Sequence, residues 1–209
     1  MKNWSEFAVS GVSADTPYNI MLGAGTLYKN LTYSKENKKW SGTILGASSG
    51  GNKLSIKPEI TTIEVDGVTV DAKGLSQKTG ETAQIEVNMI EITKDFLKST
   101  VIGQEGTSED ERFDVIESKE HIEEGDYIEN LAFVGFKTNG SPIIVLFEYA
   151  ICTDGLESEH KNKEAAVVPA TYKCVANLVE GGTTNKLPYH IYVPKTSATQ
   201  ITQTAQAEE

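Results

Sequence analysis

The chain of 209 residues has only two cysteines, three histidines and no long apolar run, and each shortage closes off a class of protein. Cys152 and Cys174 are too few for the disulfide framework of a small secreted scaffold. Each sits in an apolar, strand-like segment, where a free thiol behaves as a small buried hydrophobe. His121, His160 and His190 have no metal-ligand spacing between them, and no cysteine pair has the CxxC form. The longest apolar run, Ile143 to Phe147, is far too short to cross a bilayer. Lys2 is followed by Trp4, Ser5, Glu6 and Phe7 without an apolar stretch. The expectation is therefore a chain without a signal peptide, made and first used in a cytoplasm. Bases are scarce as well: 19 Lys and Arg face 30 Asp and Glu, a formal charge of −11. Gripping phosphates needs the opposite sign, which argues against tight DNA or RNA binding.

The acid excess is concentrated. Between Glu105 and Glu129, eleven acids stand against Arg112 and Lys119, a net of −9, so the rest of the chain is nearly neutral. The plain reading of such a run is a solvated surface loop. It lacks the ligand layout of an EF-hand.

What the sequence has is alternation. Leu54, Ile56 and Ile60 alternate with polar partners before the phase slips to Ile63 and Val65. Ile85, Val87 and Met89 alternate with Glu86 and Asn88 before a slip to Ile90 and Ile92, and Tyr189, Ile191 and Val193 repeat the pattern. Period two marks a sheet with one buried face, and a slip marks a bulge or a change of neighbour. Ile143 to Phe147 is unbroken, so both of its faces are expected to be covered. Asp66-Gly67 has the composition of a tight turn between Thr61–Val65 and Val68–Ala72. Gly50-Gly51, Asn139-Gly140, Asp154-Gly155 and Gly181-Gly182 divide other segments. Pro58 within a strand-like stretch predicts an edge or a bulge.

Eight to ten strands follow, with one helix. Thr93 suits its N-cap, and Phe96, Leu97 and Val101 share a face before Gly103. The fold expected is mainly β, a sandwich or small barrel with one flanking helix. Residues 19–194 form this domain, including the acidic segment 105–129. Residues 1–18 and 195–209 read as arms, since neither carries the apolar positions of a core.

No catalytic pattern emerges. Gly46-Ala47-Ser48-Ser49-Gly50-Gly51-Asn52-Lys53 superficially matches a phosphate loop, but Asn52 stands where lysine must follow the glycine and Leu54 replaces the hydroxyl residue. It reads as a glycine turn opening a strand. Gly23-Ala24-Gly25 lacks the third glycine of a dinucleotide fingerprint, and no GxSxG element is present. A carboxylate pair acting as acid and base leaves no trace in sequence, because its members meet only in the fold. The expectation is a protein that is not an enzyme and needs no cofactor or metal.

The order of segments carries a resemblance. Met21-Leu22-Gly23-Ala24-Gly25-Thr26-Leu27-Tyr28 precedes Thr43-Ile44-Leu45-Gly46-Ala47-Ser48-Ser49-Gly50-Gly51. Ile63-Glu64-Val65-Asp66-Gly67, Ala72-Lys73-Gly74 and the run Ala83 to Ile92 come next, and Asn162 to Tyr172 closes the series. This succession, over about residues 20 to 193, resembles the major tail (tail tube) proteins of long-tailed phages from Gram-positive hosts. The acidic segment and both arms have no counterpart. The resemblance implies subunits that close rings, six to a ring, by pairing sheet edges. Rings stack into a hollow tube whose lumen passes DNA at ejection, in a virion tail assembled in the host cytoplasm. It implies further copies of the chain as partners, along with terminator, tape-measure and distal tail proteins. DNA is only passing cargo, and no membrane is involved. It places residues 31–43 against the next ring, with Tyr33, Lys38 and Trp40 in the contact. Electrostatics sets most of the acidic segment outside or between rings, since a net −9 from each subunit would repel itself in a narrow channel. That leaves Glu86 and Glu91 as the acids expected nearer the lumen. Two alternatives stand beside it. One is the tube protein of a contractile tail or tailocin-like machine. The other is a monomeric β-sandwich binding module, which should expose aromatic side chains on one face, whereas Trp4 and Trp40 are isolated in sequence.

Overall fold

The computed structural model describes residue 8, residues 10–178 and residues 184–195. Trp4, the Gly181-Gly182 break, most of the first arm's opening residues and the 195–209 arm beyond Lys195 lie outside the described residues. Strand accounts for 47% and helix for 8%, so the protein is mainly β: a curled half-barrel sheet with one substantial helix.

In chain order, α1 is a single turn, Thr16–Asn19, followed by β1 (Met21–Ser34), β2 (Lys39–Ile44), β3 (Lys53–Thr62) and β4 (Ser76–Met89). Helix α2 (Lys94–Val101) leads into a small hairpin of β5 (Gln104–Gly106) and β6 (Val115–Glu117). A 3-10 turn, Glu124–Asp126, precedes β7 (Ile128–Lys137), β8 (Pro142–Cys152), β9 (Val168–Cys174) and β10 (Tyr189–Tyr192). The main sheet runs β2-β1-β7-β8-β9-β4-β3, and β10 adds to β8. All pairings are antiparallel.

Alternation builds the main core. Ala83, Ile85, Val87 and Met89 of β4 point inward beside Val168, Ala170, Tyr172 and Cys174 of β9, and Leu131, Phe133, Val145 and Phe147 complete the wall. The curl is closed by the glycine turn. Leu45 N–H donates to Leu27 O at 2.9 Å, and the Asn52 amide donates to Ala24 O at 2.9 Å, both on β1. On the far side, Ser49 N–H donates to Asn88 O at 2.8 Å and Ile90 N–H to Ala47 O at 3.0 Å. Residues 45–52 thus stitch β1 to β4 across the open side of the sheet.

Helix α2 plugs the concave face. The Thr93 hydroxyl accepts the Phe96 N–H at 3.2 Å, and Ile102 ends the helix in the left-handed region at φ 49. Phe96 is fully buried in the main core and Thr100 is buried one turn on, while Val101, expected on that face, is exposed. Thr100 satisfies its hydroxyl on Leu97 O at 2.9 Å, which lets a polar residue hold the inner position.

The unbroken run Ile143 to Phe147 is covered on both faces, as its composition requires. Val145 and Phe147 join the main core; Ile144 and Leu146 join a second cluster with Ala132, Val134 and Leu31 on the convex face. Leu27 and Leu31 would share a face on a regular strand. The register shift between Lys29 and Thr32, with Asn30 at φ 56, turns the β1–β2 hairpin so that Leu31 covers the outside.

Pro58 does lie on a terminal strand, β3, beside a register shift at Glu59/Ile60. Two local expectations fail. Asp66-Gly67 forms a turn, closed by Val68 N–H to Val65 O at 3.0 Å, but its flanks are not paired strands. The hairpin is the longer β3–β4 pair, and residues 63–75 form its loop. The slip at Ile90 and Ile92 marks the end of β4 rather than a bulge, since both side chains are exposed beyond Met89.

Candidate functional site

One convex-face cluster joins two aromatic residues of the β1–β2 hairpin to a third that is far away in sequence. Tyr33 and Trp40 are directly opposed across β1–β2, with ring centroids 5.4 Å apart. Tyr192 of β10 meets Trp40 edge-on at 5.0 Å. Beside them, His190 Nε2 lies 2.7 Å from Glu148 Oε1. These side chains, with Glu129 and Tyr149, border an open groove of about 310 Å³. Trp40 is therefore not isolated, which removes the argument raised from sequence against a binding surface. No sequence signal linked residue 192 to residue 40; only the hairpin's turn over the convex face brings them together. Lys38, at φ 50, sits in the exposed turn just before Trp40.

Glu86 lies on the convex face of β4, 2.6 Å from Lys53 Nζ, and accepts the Gln84 amide at 3.1 Å. The Lys53 hydrogen bond holds its carboxyl below the usual range, with burial opposing. Its charge is locally balanced. Glu91 stands past the end of the strand and accepts the Ala47 N–H at 2.9 Å, so it fastens the glycine turn.

The acidic segment is solvated surface, as its composition implies, with nine of its eleven acids exposed, but ion pairs fix it in place. Lys94 reaches Asp114 at 3.2 Å and Glu105 at 3.4 Å, tying the β5–β6 hairpin to α2. Lys119 and Asp126, both with nearly covered side chains, pair at 2.6 Å, and Asp126 also accepts the Glu123 N–H. The bonds to Asp126 and Glu123 raise the Lys119 ammonium, with burial opposing. Sequence reasoning missed this because the two bases look negligible against eleven acids, although Lys119 satisfies both Glu123 and Asp126 and Arg112 holds Asp110.

Most residues at the far end of the β3–β4 hairpin are exposed. Beta-4 pairs with β9 only from Gln84 onward, so Ser76 to Thr82 extend past the sheet by roughly 20 Å at ~3.3 Å per residue. The stem is braced where Glu81 accepts the Tyr189 hydroxyl at 2.9 Å and meets Lys78 at 2.8 Å. Lys78, then Tyr189, hold its carboxyl low against burial. Beyond that brace, Ile60, Ile63, Val65, Val68 and Val70 are exposed, Val70 at 75%.

The thiols of Cys152 and Cys174 are buried and free. Their strands are adjacent, but Cys152 opposes Tyr172 and Cys174 opposes Ala150, so the two are diagonal neighbours. Burial pushes Cys152 up and Cys174 up to about 12, as suits core hydrophobes. His121 is near only Glu120 at 3.8 Å, and His160 shares a hydrogen bond with Ser158 at 3.0 Å on the surface. Among the described residues no group of three or more His, Cys, Asp or Glu is arranged to hold a metal, and no helix is long and apolar enough to cross a membrane.

No protein-family model matches the chain, and no curated protein matches it closely enough to count as a relative.

Proposed function

We propose that the chain is a structural subunit of a phage tail tube, assembling with copies of itself into rings that stack around a DNA-conducting lumen. The observation that supports this reading most is the β3–β4 arm, which carries five exposed apolar side chains beyond the core of its own subunit. A lone soluble protein gains nothing from such a patch, whereas an assembling one buries it against a neighbour. The sheet also ends in two edges, β2 and β3, that are unpartnered among the described residues and that ring closure would pair. Beta-3 carries Pro58 and a bulge, which discourage uncontrolled pairing and leave a specific partner to complete the edge. Other tail proteins would cap the tube, and DNA would pass as unbound cargo through a lumen without a basic lining. The virion tail is the corresponding location.

The sequence resemblance in segment order and the β-rich curl point the same way. Negative-stain images of the purified full chain at rising concentration test the proposal: rings or tubes are expected. A sheath-protein gene beside this one would assign the tube to a contractile tail instead.

One observation favours a second reading. The Tyr33–Trp40–Tyr192 cluster beside an acidic groove is a surface on which a monomeric binding module could hold a ligand. Such a module stays monomeric at every concentration, so solution mass separates the two.

A further inference from the structure

We infer that the arm's loop, residues 63–75, docks on the β1–β2 hairpin of a second copy, a contact that rests on the tube reading. The arm is the element in need of cover, because Ile63, Val65, Val68 and Val70 are exposed on a loop that no other part of the described chain covers. Its charges are Glu64, Asp66 and Asp71 against Lys73, a net of −2, and none of the four forms an ion pair among the described residues. An acidic, apolar loop fits a basic, apolar receiver.

The surface offers one strong electrostatic alternative, and its sign is wrong. The β5–β6 region carries a net of −9 between residues 105 and 129, so it repels the arm. The turn of the β1–β2 hairpin has the opposite balance: Lys35, Lys38 and Lys39 against Glu36, a net of +2. All four are exposed, and none of them is paired among the described residues. Directly behind this turn stand Tyr33 and Trp40, 47% and 36% exposed, whose rings can cover valine and isoleucine side chains. The hairpin is itself held against its own sheet through Leu31 and Tyr192, so it presents these groups on a fixed platform. Arm and platform are different surfaces of one chain. Under the tube reading that contact is heterologous and passes from copy to copy.

Charge reversal tests the pairing. Glu64→Lys with Asp71→Lys turns the arm to +2, and Lys35→Glu with Lys39→Glu turns the platform to −2; Asp66 in its turn and Lys38 at φ 50 are left alone to spare the backbone. Circular dichroism and melting should match the parent for every variant, since only exposed side chains change. Each pair alone should abolish sedimenting polymer at concentrations where the parent assembles, and the fourfold variant carrying both reversals should restore it. Assembly that persists in either reversed variant, or is not restored in the fourfold one, overturns this contact while leaving the tube reading intact. A parent that stays monomeric throughout overturns both.

Discussion

The two long hairpins start from the same design and end with opposite fates. In β1–β2, a left-handed Asn30 and a register shift turn the strands over the convex face, where Leu31 closes a second core and Trp40 meets Tyr192. In β3–β4, the ladder runs on with one small shift, past the end of β9, and nothing among the described residues covers its far end. The lesson is that alternation makes a strand but does not choose its burial. Leu54 and Ile60 obey period two as well as Val87 does, yet they remain exposed at 38% and 65% because no second layer lies over β3.

If that contrast is right, substitutions in the two hairpins should separate stability from assembly. The largest loss of stability belongs to Leu31→Ala, which empties a position only 4% exposed and should cost about 2–4 kcal/mol in a denaturant titration. Trp40→Ala comes next. It removes two ring contacts at ~0.5–1.5 kcal/mol each, for a total of about 1–3 kcal/mol, and should also free β10 to exchange its amide hydrogens faster. Smallest on this scale is Val70→Ser on the arm, expected within about 0.5 kcal/mol of the parent, while polymer formation falls. An equal stability loss from Val70→Ser and Leu31→Ala would erase the distinction between the hairpins.

The covered core has its own pH test. Burial raises the Cys174 thiol from 9.0 to about 12 and raises Cys152 as well, so the unfolded chain releases these protons first. Stability contributed by the neutral thiols is fully present below the unfolded value. It falls as pH climbs from about 9 toward 12. Denaturant midpoints should show that decline, reduced in Cys174→Ala. A thiol reagent at pH 8 should label neither cysteine until the protein unfolds.

Much of the sheet was legible in the chain. Thr93 as a cap, Pro58 on a terminal strand, the doubly covered run at Ile143 and the inward phase of Ile85, Val87 and Met89 all follow from local rules, and the structure agrees with each. The candidate surfaces were legible only in part. Tyr33 and Trp40 were named as contact residues only through the resemblance, and their partner Tyr192 is distant in sequence and joined only through a turn at Asn30. The arm was hidden by its own tip: Asp66-Gly67 is a strong turn signal, and it drew a short hairpin where the ladder begins only at Thr62 and Ser76. The pairing of Lys119 with Asp126 was masked by composition, because net charge says nothing about where the few bases lie.

The central claim is that the β3–β4 arm exists to meet another copy of this chain. Replacing residues 60–79 with a short turn would remove the exposed loop while sparing the Glu81–Tyr189 brace and the core strands. Sedimentation of the parent and the shortened chain, each followed across a wide concentration range, tests the claim most directly. The account predicts large polymers from the parent and a folded monomer of unchanged melting temperature from the shortened chain. Polymers of equal size from both, or a parent that remains monomeric at every concentration, would contradict it.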